Sequence, residues 1–297
     1  MKLPEVAAPR EHPAGRILEL PGRGSTYVVD SGPDSSRIKT PTFIMLHSVA
    51  CTGLLTWHPS LELMRQFGRV VVLDLRGHGA GIASSRLLLE DSADDVVAVA
   101  DALGIDTFIP VGFSMGSLVA QLAWRRHRDR VDGLVLCAGA ATFAEAAPMR
   151  LGTSIFAALL DTFSPQPGAP STPVLPGADI APPHPYLWAL GEFRSTSVGS
   201  MLRSLAEIVR FDSRSWLTEI DVPTSVLIPS RDKVISPRHQ HWMAGQIPDA
   251  VTVTVDGGHA CCTLQHEVFL PGLHSAVESV LTRAAEHRRK HHSAAAS

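Results

Sequence analysis

Gly112-Phe113-Ser114-Met115-Gly116 has the spacing G-x-S-x-G. A serine held between two glycines at these distances suits a sharp strand-to-helix turn that leaves its hydroxyl exposed at a helix N-terminus. Such a hydroxyl becomes a useful nucleophile only when a base takes its proton and an acid holds that base in the right tautomer. Both residue types follow in the order Ser, acid, His. Asp232 lies in Ser230-Arg231-Asp232-Lys233-Val234, and His259 in Asp256-Gly257-Gly258-His259-Ala260. Asp221 and Asp256 are alternative acids. Asp221 precedes its strand, at the wrong sheet edge, and Asp256 is too close to His259 in the chain to approach it from a separate loop. Acyl transfer further requires two amide donors for an oxyanion. The turn offers the N–H of Met115, and the loop after Phe43–His47 offers that of Val49.

These residues need a scaffold that brings distant loops to one edge. Short apolar runs at Phe43–His47, Val70–Asp74, Phe108–Val111 and Leu134–Cys137 read as strands buried on both faces. Arg16–Leu20 and Thr26–Asp30 form an opening hairpin, and Thr224–Pro229 and Val251–Asp256 supply two later strands. Pro110 breaks a local rule inside its strand, because it removes a ladder donor. Helices are expected from a Ser92 cap to Gly104, over Ser117–His127, and over Phe269–Ala285. In the first, Asp94 and Asp95 suit the N-terminal end. Strand–helix–strand alternation of this kind builds a parallel sheet, whose carboxyl edge gathers the loops carrying Ser114, Asp232 and His259.

The rhythm stops near residue 143. Leu151–Leu190 holds 8 prolines and only two charged residues, Asp161 and Asp179. Apolar helical pieces are expected at Ile155–Phe163 and Tyr186–Leu190. An amphipathic helix follows over Ser197–Val209, with Met201, Leu202, Leu205 and Ile208 on one side. So charge-poor an insertion reads as a cap whose inner wall is apolar. The expected organisation is a core over 1–143 and 213–285, a helical cap over 144–212, and a flexible tail over 286–297.

With Phe43-Ile44-Met45-Leu46-His47, Trp57, and Asp74-Leu75-Arg76-Gly77-His78-Gly79 beside the three segments above, the chain resembles the α/β-hydrolase superfamily. The likeness is to its compact bacterial esterase-like branch and covers about residues 16–285. The resemblance implies a mostly parallel eight-stranded sheet flanked by helices, with a helical cap insertion. It also implies Ser114, Asp232 and His259 as a catalytic triad, with Met115 and Val49 as the oxyanion hole. Ser48 stands where that family usually has glycine, and Ser117 where its helix often has glycine. His78 occupies a loop position that is more often structural than catalytic.

Composition narrows the field. Net charge is −3 with 19% charged residues, which gives no basic surface for nucleic acid. No apolar run is long enough for stable membrane insertion. The N-terminal segment does not read as a secretory signal. Cys51, Cys137, Cys261 and Cys262 show neither metal-type pairing nor disulfide density, so reduced thiols and a cytoplasmic location are expected. No cofactor or metal is implied, and oligomeric state is unassigned. The expected activity is a serine hydrolase that cleaves an ester, thioester or lactone of a small to medium apolar acyl group. An acyltransferase or cofactor-free perhydrolase, a carbon–carbon bond hydrolase and a ligand-binding sensor stay open as alternatives.

Overall fold

The computed structural model describes residues 14–33, 40–143 and 184–295. The expected helix Ile155–Phe163 lies outside them. Eight strands form one sheet in the order β1-β2-β4-β3-β5-β6-β7-β8. They are β1 Arg16–Leu20, β2 Gly24–Asp30, β3 Thr42–Leu46, β4 Arg69–Leu73, β5 Ile109–Phe113, β6 Leu134–Cys137, β7 Thr224–Pro229 and β8 Val251–Val255. Only the β1–β2 and β2–β4 pairings are antiparallel; the rest are parallel. β3, β4 and β8 end one residue earlier than the sequence suggests, and β5 is shifted to run through Phe113. Pro110 falls between an isolated Phe108–Val131 bridge and the β5–β6 ladder, which begins at Val111. Its missing N–H therefore coincides with a break already present in the ladder.

The central strands β3–β7 are buried on both faces, as their sequence runs require, while the edge strands β1 and β8 are largely exposed. Along β3, Phe43 and Met45 enter one apolar cluster while Ile44 and Leu46 enter the other. The first cluster is completed by Trp57, Phe113 and Phe269, each 1% exposed or less. Burying such side chains is worth roughly 1.5–3 kcal/mol apiece.

Helices α1 Gly53–Trp57, α2 Leu61–Arg65, α3 Leu89–Ala102 and α4 Met115–Arg126 lie within the first half. Ser92 does not cap α3. It sits inside the helix, which starts at Leu89 with Glu90 and Asp91 in its first turn. Asp95 instead pairs with Arg76 and Arg23, and Asp94 with Arg126 and His127. After β6 come α5 Pro185–Arg194 and α6 Val198–Arg210. Ser197 caps α6 by accepting the Ser200 N–H. Met201, Leu205 and Ile208 turn inward as expected, but Leu202 is 58% exposed. Its place on the inner face is taken by Ser204, three residues after Met201. α5 docks through an edge-on contact of Trp188 with His58 and a hydrogen bond from Thr52 to Glu192. Gly79 N–H also donates to Thr196. α7 Pro237–Gln246, α8 Cys261–Leu264 and α9 His266–Ala295 close the chain. α9 is longer at both ends than expected, and its helical backbone continues into the segment after residue 285.

Candidate active site

The strand order reverses at β3. β4 lies on one side of it and β5 on the other, so the loops leaving β3 and β5 diverge at the carboxyl edge and leave a crevice there. Ser114 stands in that crevice with φ 53° and ψ −116°, a backbone conformation a non-glycine residue rarely adopts. The turn is held by Ser114 N–H donating to Cys137 O at 2.9 Å. Ser117 donates to Ser114 O from its N–H at 2.9 Å and from its hydroxyl at 2.7 Å. Both motif glycines are needed for space. A Cβ on Gly112 would lie 2.2 Å from Gly116 O, and one on Gly116 would lie 2.1 Å from Leu46 O. That last contact seats the start of α4 directly on the end of β3, so Met115 and the Val49 loop share one side of the crevice.

The loops after β7 and β8 are laced together by Ser230 N–H to Val255 O and Arg231 N–H to Gly257 O. This lacing brings Asp232 and His259 to the same edge. His259 Nδ1–H donates to Asp232 Oδ2 at 2.8 Å, and its Nε2 meets Ser114 Oγ at 3.0 Å. The three expected residues therefore form one hydrogen-bonded chain. The alternative acids are engaged elsewhere: Asp221 accepts from the Trp124 indole, and Asp256 pairs with Arg231 at the surface. Asp232 Oδ1 accepts the Val234 and Ile235 amides, while Gln240 donates to Oδ2. Phe113 backs the imidazole, ring centroids 5.7 Å apart. Gln265 holds the loop by accepting the Gly258 N–H. Sequence reasoning missed Gln240 and Gln265; a fully buried amide eight residues after Asp232 carries no motif.

His47 has a distinct role. Leu75 N–H donates to its Nε2, so Nδ1 carries the proton and donates to Ser48 O at 2.7 Å. Every peptide here is trans, and in a trans peptide C=O and N–H point in opposite directions. Holding Ser48 O against the His47 ring turns the Val49 N–H away from it. The left-handed residue of this loop is Ala50, φ 61°, and not Ser48. A side chain at position 48 therefore meets no positive-φ strain. His78 packs edge-on against His47 and bonds the Arg76 carbonyl, as a structural residue of the Asp74–Gly79 turn. Burial pushes the thiol of Cys51 up to about 12, and it pushes those of Cys137, Cys261 and Cys262 well above the ordinary thiol value. All four stay protonated at neutral pH and pack as small apolar groups. No helix among the described residues is long and apolar enough to cross a membrane. Among the same residues, no group of three or more His, Cys, Asp or Glu is disposed to hold a metal ion.

The profile of the alpha/beta hydrolase fold family matches residues 41–262, about three quarters of the chain. The chain belongs to the alpha/beta hydrolase fold family. Its named relatives are hydrolases, and the protein is an enzyme of that class. It is 29% identical over 247 residues to a pimeloyl-[acyl-carrier protein] methyl ester esterase of Chromobacterium violaceum, covering 76% of this chain and 90% of that one. A hydrolase from Pseudomonas aeruginosa superposes with TM-score 0.70 at 23% identity, over 90% of this chain and 98% of that one. The enol-lactonase of Burkholderia xenovorans gives 0.69 at 21%, over 89% and 100%. At these identities the two structures establish the shared fold.

A buried polar hub beneath the site should make the stability of this α/β hydrolase depend on pH. The Asp74 carboxyl accepts the Gly53 and Ala80 amides, yet burial pushes it up to about 7, with a smaller contribution from nearby Glu192. Burial pushes His47 down to about 3 and His78 down to about 4, with His78 adding to the effect on His47. The signs oppose. A raised carboxyl contributes stability that is full below its unfolded value of about 3.9 and is lost as pH rises through 7. Depressed histidines contribute stability that is present above about 6.5 and is lost on acidification. Asp74→Asn removes the opposing contribution, so stability should fall more steeply with acid in the variant. The expected difference in slope is about 1.4 kcal/mol per pH unit between pH 5 and 6.5, read from denaturant midpoints. Equal slopes would mean that Asp74 is already ionised in the folded state.

Proposed function

We propose that this protein is a serine hydrolase that cleaves a carboxylic ester, thioester or lactone of a small acyl group through an acyl-enzyme. The observation that carries the reading is the continuous contact from Ser114 Oγ through His259 to Asp232, at 3.0 and 2.8 Å. Ser114 Oγ attacks the carbonyl carbon while His259 Nε2 takes its proton; the carbonyl π electrons move onto oxygen. The amides of Met115 and Val49 hold that oxyanion, the second aimed by His47. Collapse expels the alcohol, thiol or ring oxygen, which receives the proton back from His259. Water, deprotonated in turn by His259, repeats the attack on the acyl-enzyme and frees Ser114. Asp232 keeps the Nδ1–H tautomer and stabilises the imidazolium. The names of the relatives, an esterase and a lactonase, fit the same bond class. In this reading residues 144–212 act as a helical cap on a core formed by 1–143 and 213–285, with 286–297 as a tail.

Labelling with a fluorophosphonate probe tests the assignment. Wild type should be labelled, Ser114→Ala should not, and His259→Ala should react about a hundredfold or more slowly. Labelling that persists in Ser114→Ala would refute the nucleophile.

A further inference from the structure

A cavity of about 670 Å³ opens at the carboxyl ends of β6 and β7. Neither Ser114 nor His259 lines it, but Asp232 does. Its floor is apolar, made by Ala140, Ala141, Phe143, Val234 and Ile235. Ala140 O accepts from Gln121 of α4, and a Cβ on neighbouring Gly139 would strike the Ser117 hydroxyl. The floor is thus packed against the first turns of the helix that Ser114 begins.

The rim is cationic. Lys233 and Arg238 border the cavity, with Arg214 and His239 beside them. Arg214 pairs with Asp212, whereas Lys233 and Arg238 make no ion pair or hydrogen bond among the described residues. Among the described residues, the one carboxylate on the cavity wall, Asp232, has both oxygens committed to Val234, Ile235, Gln240 and His259. Its side chain is 0% exposed. Two positive charges therefore border a part-apolar space with no free acid among the described residues to answer them, in a chain whose net charge is −3. The indole of Trp242, 45% exposed, adds a flat apolar edge to this rim.

We infer that this cavity receives the negatively charged end of the substrate, a carboxylate or phosphate carried on a short hydrocarbon chain. The inference rests on the hydrolase reading and alters one part of it: the acyl or leaving group is amphiphilic, with its scissile carbonyl at Ser114 and its anion between Lys233 and Arg238. The hydrocarbon spans the Ala140–Phe143 floor. Such a rim also raises the local concentration of anionic substrate, an effect that salt screens.

The experiment compares mono-p-nitrophenyl adipate with p-nitrophenyl hexanoate, which carry acyl chains of equal carbon number with and without a terminal carboxylate. Wild type should prefer the charged ester in kcat/KM. In Lys233→Glu/Arg238→Glu that preference should fall about tenfold or more, mainly through KM. Adding salt to wild type should weaken it too. Calorimetry of free adipate should show binding to wild type that the double variant loses, and adipate should compete with the charged ester. A preference unchanged by the double variant overturns the proposal and leaves the hydrolase reading standing. Adipate that binds without competing also overturns it, since the anion would then be a separate ligand. If neither ester turns over, the hydrolase reading fails; adipate binding lost in the variant still supports the anion site, and its absence refutes it.

Discussion

Ser114→Ala is expected to lower kcat for short p-nitrophenyl esters by about 10⁶, leaving only the weak catalysis that binding and oxyanion donors provide. The size follows from the geometry: among the described residues no other hydroxyl or thiol is seated against His259 Nε2, and the nearby cysteines are buried and protonated. A companion substitution separates chemistry from stability. Ser114 is held at φ 53° and ψ −116° by backbone hydrogen bonds to Cys137 and from Ser117. A residue in such a conformation costs about 1–3 kcal/mol. Ser114→Gly should be equally inactive, yet at least as stable as wild type, because glycine tolerates positive φ and offsets its own entropic cost. Ser114→Ala retains the Cβ and gains nothing of this kind. Thermal melts of the three proteins, run beside steady-state assays, check both halves. A Ser114→Gly variant more than about 1 kcal/mol below wild type would contradict strain at this turn.

Asp232→Asn is expected to cost about 10⁴ in kcat. The reason lies in which oxygen faces what. Oδ1 accepts two amides, from Val234 and Ile235, so the asparagine carbonyl must take that place. Its NH₂ then points at His259 Nδ1 and at the Gln240 amide nitrogen, which is itself a donor. His259 is forced to accept at Nδ1 and so to carry its proton on Nε2, facing Ser114, where it can no longer remove one. Gln240 loses its acceptor on Asp232 and keeps only the Ile235 carbonyl. Activity should recover partly at high pH, where hydroxide substitutes for the missing base. A loss smaller than tenfold, with the fold intact by circular dichroism, would remove Asp232 from the mechanism.

Much of this site is legible in the chain. The G-x-S-x-G turn stands out because two glycines flank a serine between an apolar run and a helical pattern. Asp232 and His259 each follow a β-branched run by a few residues. The strand ends were harder. His47, Asp74 and Asp256 continue apolar runs by one position and look like strand residues. In the fold, His47 and Asp74 turn their side chains onto neighbouring loop amides and carbonyls, and the ladder stops before them. Ser92 misleads as a cap because Leu87-Leu88-Leu89 carries no cap signal of its own, although the helix begins there. Leu202 misleads because, between two inward positions, a helix advances by about 100° per residue and carries it outward. Glu192 against Thr52 depends on a contact between distant segments, and Gln240 beneath Asp232 and the Lys233–Arg238 rim depend on how one loop turns back on itself as it enters α7. No local spacing records such contacts.

β8 is an edge strand. It pairs only with β7, and His259 hangs from the loop just beyond it. Ser114 sits in mid-sheet, on a strand paired on both sides. The two halves of the hydrogen-bonded chain therefore differ in how firmly they are anchored. Fraying begins at edges, where a strand has one neighbour to lose. On the proposed mechanism, activity thus reports on one margin of the sheet: a local opening there would silence the enzyme and leave its core, and most of its spectroscopic signature, in place.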